Sequence, residues 1–224
     1  MVQKGKLIVL EGTDGSGKAT QTQLLSASLG QDGIRHMPLS FPRYGQPSAK
    51  LIEMYLRGEF GEDVNELSPY EVSKYYAIDR YASYKEDWGA YYNRGGVIIC
   101  DRYTTSNAIH QASKLPKKDR EAYFKWLYEL EFTHMGLPTP DLVVYLDVPL
   151  DVTVNLMRAR EKATNTQADI HEKDLGYLAL CKETAQAAVS YYGWVTVACS
   201  EDGVLRSIGD IQTDIYSKVQ ELFK

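Results

Sequence analysis

The 224-residue sequence is poor in cysteine, and its apolar runs are short. The three cysteines, Cys100, Cys181 and Cys199, are odd in number, and no pair has the spacing of a metal-binding motif. We therefore expect buried free thiols and a reducing compartment. The apolar stretch at residues 7–10 is too short for a signal peptide or a membrane span. These absences predict a cytoplasmic protein with no membrane partner.

The sequence also lacks an excess of basic residues. Its 25 Lys and Arg residues against 30 Asp and Glu residues give a formal net charge of −5. A general nucleic-acid-binding protein normally has a basic face, so this composition argues against nucleic acid as a partner. It does not exclude an anionic small molecule, because a local group of basic side chains can oppose the overall sign.

No repeat and no Pro/Gly/Ser-rich linker divides the sequence, and its length fits a single domain, residues 1–224. Short apolar segments rich in β-branched residues alternate with longer helical patterns. This alternation predicts an α/β fold, a doubly wound, five-stranded parallel sheet flanked by helices. The predicted strands are residues 6–10, 34–41, 97–100, 142–146 and 194–198.

Capping residues mark the predicted helices. Ser68 can cap a helix that has Pro69 in its first turn, and Glu71 completes a capping box. A second helix, at about residues 118–135, is expected to stop at Gly136. Two more are predicted to start near Leu150 and Ile170.

A glycine-rich loop follows the first predicted strand and precedes a helical pattern at residues 21–29. Glycines let backbone N–H groups turn around phosphate oxygens, and a lysine directly after the last glycine reaches the β- and γ-phosphates. A turn that only joins strand to helix is the alternative, and the strand–loop–helix order argues against it. The predicted ATP-binding residues are Gly12, Thr13, Asp14, Gly15, Ser16, Gly17, Lys18, Ala19 and Thr20.

One position of this P-loop departs from the full pattern. The residue after Lys18 is usually Ser or Thr, whose hydroxyl contacts Mg²⁺, and here it is Ala19. Thr20 comes one residue late and projects in another direction on a helix. Either other oxygens hold the metal, or Thr20 does part of that work. We still expect Mg²⁺, because the charge of a transferred phosphate must be neutralised.

A second motif, Asp101-Arg102-Tyr103, directly follows the apolar strand predicted at residues 97–100. P-loop enzymes place a carboxylate that orients Mg²⁺ at such a strand end, and an arginine there is a bidentate phosphate donor. A surface ion pair is the alternative interpretation. Because the motif follows a fully apolar strand in a chain with a P-loop, we favour a catalytic Arg102 and a metal-binding Asp101.

Four segments carry a family resemblance: EGTDGSGKATQ, FPRYGQPS, YYAIDRYASY and DRYTTSNAIHQ. In this order they resemble the thymidylate kinases, which transfer a phosphoryl group from ATP to dTMP on the way to dTTP. The resemblance covers about residues 5–200 and implies a P-loop NTPase fold of the nucleoside monophosphate kinase type. It also implies a homodimer formed through helices near residues 124–132, where plain core packing is an equal alternative.

The resemblance implies roles for individual residues. Asp14 matches a carboxylate near the reacting phosphate, the sugar and the metal, and Arg102, with Lys18, would act on the phosphates. Tyr76 would stack on thymine, and Arg80, four residues later, would bond the base from the same helix face. The implied substrate-binding residues are Asp14, Phe41, Pro42, Arg43 (near the phosphate and metal), Tyr44, Tyr76, Arg80, Arg102, Ser106, Asn107, His110 and Asp169.

His110 departs from the family, which usually has Tyr or Phe at this position close to the sugar. The aromatic residue helps to exclude a ribose 2′-hydroxyl. Histidine is smaller and forms hydrogen bonds, so weaker discrimination against ribonucleotides is one interpretation. A partly buried helical residue without such a role is the other, and the sequence favours neither.

The polar segment at residues 158–173 stands in the place of the family's lid. The P-loop has Gly15 where some relatives have an arginine, so arginines of the lid would complete the charge over ATP. Arg158 and Arg160 are the predicted catalytic residues there, with Arg160 favoured, and Asp169 matches an acidic lid position. An exposed, charged helix end is the alternative.

Other functions stay open at this point. A kinase for another nucleoside monophosphate, or for a deoxynucleoside, is compatible with His110. A P-loop NTPase that switches a protein partner would lack a second nucleotide pocket. An inactive binding protein derived from a kinase would account for Ala19.

Overall fold

The computed structural model describes residues 4–164, 171 and 174–224, and for residues 160–164 it describes only the backbone. The main strands are β1 Lys6–Glu11, β2 His36–Ser40, β3 Val97–Asp101, β4 Leu142–Asp147 and β5 Val195–Ala198. They form one sheet in the order β2-β3-β1-β4-β5, and every neighbouring pair is parallel. The predicted α/β fold with a five-stranded parallel sheet is therefore confirmed.

Helices alternate with these strands along the chain. Two π-helical turns, Tyr84–Trp88 and Glu129–His134, extend α3 and α6 at their C-terminal ends, and β6 Ser200–Glu201 pairs with β7 Val204–Leu205 in an antiparallel hairpin. The helices are α1 Lys18–Gln31, α2 Lys50–Leu56, α3 Pro69–Ser83, α4 Gly89–Asn93, α5 Thr104–His110, α6 Arg120–Tyr128, α7 Leu150–Thr164, α8 Leu175–Tyr192 and α9 Ile208–Gln220.

The central strand β1 is apolar on both faces because helices cover both. On one face Ile8 packs in a cluster with Leu25 of α1 and Ile215 of α9. On the other face Leu7 packs in a cluster with Trp88, from the turn that follows α3. Successive side chains of a strand point to opposite faces, so this double cover requires the continuous apolar run seen in the sequence.

Local signals located the starts of α3 and α7. The Ser68 side chain accepts a hydrogen bond from the Glu71 backbone at 3.3 Å, and the Glu71 carboxylate accepts one from the Ser68 backbone at 2.9 Å. Helix α7 begins at Leu150, as expected. Helix α8 begins at Leu175 after the cap Asp174, later than the start predicted near Ile170, a residue outside the described part of the chain.

The cysteine prediction is also borne out, because Cys100, Cys181 and Cys199 are buried and free. Among the helices that the structure describes, none has the length and apolar character needed to traverse a bilayer.

The carboxyl ends of β1, β2 and β3 lie side by side. Leu10 of β1 is in register with Asp101 of β3, and Ser40 of β2 is in register with the same residue. Backbone hydrogen bonds extend the contact into the following loops, from Arg102 N to the Leu10 carbonyl at 3.2 Å and from Phe41 N to the Asp101 carbonyl at 3.1 Å. The P-loop, the Phe41 segment and the Asp101 motif therefore meet at one edge of the sheet.

The capping box of α3 gives a prediction about stability. Ser68→Ala removes the hydroxyl that caps the Glu71 N–H, so the free energy of unfolding should fall by about 1 kcal/mol. Urea denaturation of the unmodified protein and of the variant measures this difference in the free energy of unfolding. The control is Ser190→Ala, whose hydroxyl bonds a carbonyl within α8 and caps no helix. An equal loss in both variants would contradict the capping role.

Candidate active site

The P-loop wraps around the ammonium group of Lys18. Its Nζ donates hydrogen bonds to the carbonyl oxygens of Gly12 at 2.7 Å and Thr13 at 2.9 Å. A side chain at Gly12 would place Cβ 2.5 Å from the Ser16 hydroxyl and 3.2 Å from the Leu146 carbonyl oxygen, so the tight turn favours glycine there. Gly17 favours glycine because its φ of 82° at the start of α1 is a left-handed conformation. The sequence prediction of a strand, a P-loop and a helix is confirmed.

Burial and the neighbouring charge of Arg102 together lower the pKa of Lys18 to about 8. The carboxylates of Asp14, Glu11 and Asp101 act in the opposite direction. The ammonium group is thus held in a site that disfavours its charge, and an added phosphate would stabilise that charge.

An ion pair between Asp14 and Arg102 joins the P-loop to the loop after β3. Burial raises the pKa of Asp14, but the charges of Arg102, His110 and Lys18 lower it more, so that it lies well below its usual range. Arg102 has φ of 68°, a left-handed conformation that is rare and strained for a residue with a side chain. Arg102 therefore combines an ion pair with a strained backbone conformation, and the surrounding structure must offset the cost of that conformation.

Glu11 is a site residue that the sequence analysis missed. It is fully buried at the end of β1, where its carboxylate accepts hydrogen bonds from Gly12 N at 2.9 Å, the Thr105 hydroxyl at 2.5 Å and the Ser106 hydroxyl at 2.8 Å. These contacts tie the start of the P-loop to α5. A carboxylate directly before the loop, in an otherwise apolar strand, was the available signal.

A pocket opens beside the Asp14–Arg102 pair, between α3, α5 and the Phe41 loop. It brings together the predicted substrate-binding residues Asp14, Phe41, Pro42, Tyr44, Tyr76, Arg80, Arg102, Ser106, Asn107 and His110. The Phe41–Pro42 peptide bond is cis. The sequence analysis did not include four further lining residues, Leu56, Tyr103, Gln111 and His171.

Gln111 is completely buried, and neither its amide oxygen nor its amide nitrogen has a hydrogen-bond partner within the described part of the chain. An amide offers both a donor and an acceptor, so this side chain is suited to a polar ligand in the pocket.

Arg80 forms a buried ion pair at the far wall of the pocket. Its Nε and Nη2 atoms donate to the two carboxylate oxygens of Glu131 at 2.7 and 2.5 Å. Both residues are almost inaccessible to solvent, with exposed fractions of 1% and 0%. Tyr76 lines the same pocket one helical turn before Arg80. The predicted placement of these two residues on one helix face therefore matches the structure.

Arg43 is held beside the pocket by carboxylates. Its guanidinium group donates to the carboxylates of Asp79 at 3.2 Å and Asp87 at 2.6 Å and to the Ser48 hydroxyl at 2.8 Å. It is not among the residues that line the pocket. Neighbouring carboxylates on α3 and the π-helical turn after it hold this side chain, whereas the resemblance placed it at the phosphate and the metal.

His110 is a wall of the pocket as well as a buried helical residue. Its Nε2 atom is 3.3 Å from Nη1 of Arg102, and its ring stacks on His171 with centroids 5.9 Å apart. Burial, together with the charge of Arg102, lowers the pKa of His110 to about 4, although Asp14 acts in the opposite direction. The imidazole is therefore neutral near pH 7.

The predicted metal ligands have one feature that fits a cation. Oδ1 of Asp101 is buried and has no hydrogen-bond partner among the described residues. In the same part of the chain, no group of three or more His, Cys, Asp and Glu side chains could hold a metal ion. Two carboxylates, Asp14 and Asp101, could thus hold Mg²⁺ only together with oxygens of a bound nucleotide or of water.

The remaining predicted site residues are either exposed to solvent or outside the described part of the chain. Ala19 and Thr20 are exposed in the first turn of α1, and Arg158 is exposed on α7. The side chain of Arg160 and the whole of Asp169 lie outside the described residues.

Comparisons with known proteins identify the family. A family model described as thymidylate kinase matches residues 10–208. A thymidylate kinase of Mycobacterium tuberculosis is 34% identical over 171 residues, 75% of this chain and 78% of the relative. One of Desulfotalea psychrophila is 28% identical over 224 residues, 98% of this chain and 96% of the relative. A solved thymidylate kinase structure from Candida albicans covers 97% of this chain and 92% of its own, with a TM-score of 0.67 at 21% identity. The chain belongs to the thymidylate kinase family.

Proposed function

We propose a division of work for the reaction that family membership assigns to this chain, the transfer of the γ-phosphoryl group of ATP to dTMP. The observation that carries it is the position of Asp14, which pairs with Arg102 and interacts electrostatically with Lys18. A phosphate-binding loop and the pocket lined by Tyr76 and Arg80 therefore meet at one carboxylate. Two nucleotides bound on either side of it would bring their phosphates together.

The P-loop is the ATP side of the proposed site. Backbone N–H groups of residues 12–18 and the N-terminus of α1 would bind the β- and γ-phosphates together with Lys18. Ala19 and Thr20 would lie at the base of this loop without contributing a hydroxyl to a metal in the usual position.

The pocket beside Arg102 is the dTMP side. Arg102 would bind the acceptor phosphate, since its guanidinium group is a bidentate donor. Tyr76 would stack on thymine, with Arg80 and the Gln111 amide as hydrogen-bonding groups for the base edge. The remaining proposed contacts are Phe41, Pro42, Tyr44, Ser106, Asn107 and His110.

The chemistry needs positioning more than it needs a base. An oxygen of the dTMP phosphate attacks the γ-phosphorus, the bond to the β–γ bridging oxygen breaks, and ADP leaves with its electron pair. A phosphate monoester has a second pKa of about 6, so the attacking oxygen is already ionised near pH 7. The depressed pKa of Asp14 keeps it a carboxylate, which orients Arg102 and does not exchange a proton.

Asp101 and Asp14 are the proposed protein ligands of Mg²⁺, and the buried, unpaired Oδ1 atom of Asp101 supports this. When bound, the metal would neutralise charge on the nucleotide phosphates. Arg158 and Arg160, on the segment proposed as a lid, would add positive charge near ATP.

Two further features support proposals about the whole protein. Ile78, Tyr81 and Tyr128 on α3 and α6 are 50%, 37% and 44% exposed, which supports a homodimer through these helices.

The three buried free thiols support a cytoplasmic location. The chain is proposed to be one kinase domain.

A nucleotide panel tests the proposed function. ADP formation should require dTMP, and kcat/KM should be highest for dTMP among dTMP, dUMP, dCMP, AMP and GMP. ATP turnover without an acceptor would instead indicate an NTPase switch, and a preference for another monophosphate would change the substrate. Inclusion of ribothymidine monophosphate measures whether His110 admits a 2′-hydroxyl.

Arg80→Ala tests the acceptor side. It removes the donors proposed for the base, so kcat/KM for dTMP should fall about 100-fold or more while KM for ATP stays unchanged. Arg57→Ala is the control, because Arg57 is an exposed arginine outside the pocket. If Arg80→Ala impaired only ATP binding, the base of dTMP would have to bind away from Arg80.

The depressed pKa of Lys18 predicts a pH dependence. A lysine with a lowered pKa loses its charge at a lower pH than usual, so kcat/KM for ATP should decline above a pH of about 8. Lys114 is a matched control, since burial lowers its pKa to about 8 as well. Lys114→Met should keep the alkaline decline, and its loss in that variant would show that Lys18 is not the titrating group.

A further inference from the structure

We infer that Glu131 is a positioning residue for base recognition: it fixes the Arg80 guanidinium group so that the group presents N–H donors to a carbonyl oxygen of the acceptor base. This rests on the proposed function, because it assigns the pocket to dTMP. The inference concerns how the enzyme discriminates a base with an oxo group opposite Arg80 from a base with an amino group there.

Glu131 accepts three hydrogen bonds, two from Arg80 and one from Thr104. Its Oε1 accepts from Nη2 of Arg80 at 2.5 Å, and its Oε2 accepts from Nε of Arg80 at 2.7 Å. Oε2 also accepts from the Thr104 hydroxyl at 2.7 Å. The carboxylate thus grips one edge of the guanidinium plane and is itself fixed by the first residue of α5, so rotation of Arg80 would break a charged bidentate contact.

Arg80 has hydrogen-bond donors left over for a ligand. A guanidinium group has five N–H donors and no acceptor. Glu131 takes two of them, and the Tyr103 carbonyl takes one from Nη1 at 3.4 Å. Among the described residues, one N–H on each terminal nitrogen is left over, and Arg80 lines the pocket. Arg80 itself offers the pocket only donors, so a base atom opposite its guanidinium group is favoured as an oxo group and disfavoured as an amino group.

Stability alone does not explain the Arg80–Glu131 pair. Glu131 lies in the π-helical turn after α6, and Arg80 lies on α3, 51 residues away in the sequence. Desolvation makes such a buried pair weak evidence for a stabilising role, since an apolar pair of similar volume often serves equally well. A charged pair at the wall of a ligand pocket is better explained by the ligand.

One short segment of the chain contacts the groups proposed for both ends of the acceptor nucleotide. Arg102, Tyr103 and Thr104 are consecutive, and they provide the phosphate donor, a carbonyl for Arg80 and a hydroxyl for Glu131, respectively. The group that reads the base is therefore fixed to the strand end that holds the proposed phosphate site. The distance between base and phosphate is set by rigid elements.

Glu131→Gln tests the inference, because it keeps the shape of the side chain and removes its charge. The ratio of kcat/KM for dTMP to that for dCMP should fall about tenfold or more, mainly through KM for dTMP, with KM for ATP unchanged. Glu131→Asp should recover part of the ratio. Glu183→Gln is the matched control, because it disrupts another Arg–Glu pair, with Arg120, outside the pocket.

A double-mutant cycle covers the case in which Glu131→Gln is unstable. The variant Arg80→Met with Glu131→Leu replaces the pair by apolar side chains and should fold while it loses dTMP preference to the same extent as Arg80→Met alone. An additional loss beyond Arg80→Met would mean that Glu131 does not act through Arg80. An unchanged dTMP to dCMP ratio in Glu131→Gln would overturn this inference alone, whereas absence of dTMP turnover by the unmodified enzyme would overturn the proposed function as well.

Discussion

The ion pair between Asp14 and Arg102 is the contact on which the rest of the site depends. It joins the loop after β1 to the loop after β3, two neighbouring strands of the sheet. Arg102 adopts its left-handed conformation next to this partner, with its guanidinium group between the P-loop and His110. Without Asp14 the arginine would be a partly buried charge, without its carboxylate partner, in a strained backbone, and both features cost free energy.

The same pair shows how an acidic protein can bind two anionic nucleotides. Lys18 and Arg102 repel each other, and the effect is visible in the lowered pKa of Lys18. Glu11, Asp14 and Asp101 offset part of that repulsion. Because burial still disfavours the lysine charge, phosphates that enter the site relieve an electrostatic cost that the free protein carries. The net charge of the whole chain is thus a poor guide to this edge of the sheet.

The sequence was informative wherever the signal was local. Buried parallel strands must be apolar on both faces, so the run at β3 and the Asp101 motif after it located one half of the site. Ser68 and Glu71 located the start of α3 because a capping box involves only four consecutive residues. Parallel strands end at one edge, which brought separate motifs together.

Contacts between distant segments could not be predicted in this way. Glu131 meets Arg80 only because the turn after α6 packs beside α3, and nothing in either segment marks the other as a partner. The contacts of Arg43 with Asp79 and Asp87 likewise join segments that the motif containing Arg43 does not connect. The most direct measurement is a crystal structure with dTMP and a non-hydrolysable ATP analogue. We expect the dTMP phosphate on Arg102, the base against Tyr76 and Arg80, and the ATP phosphates around Lys18. A dTMP base bound away from Arg80, or both nucleotides outside the pocket, would contradict the proposed site.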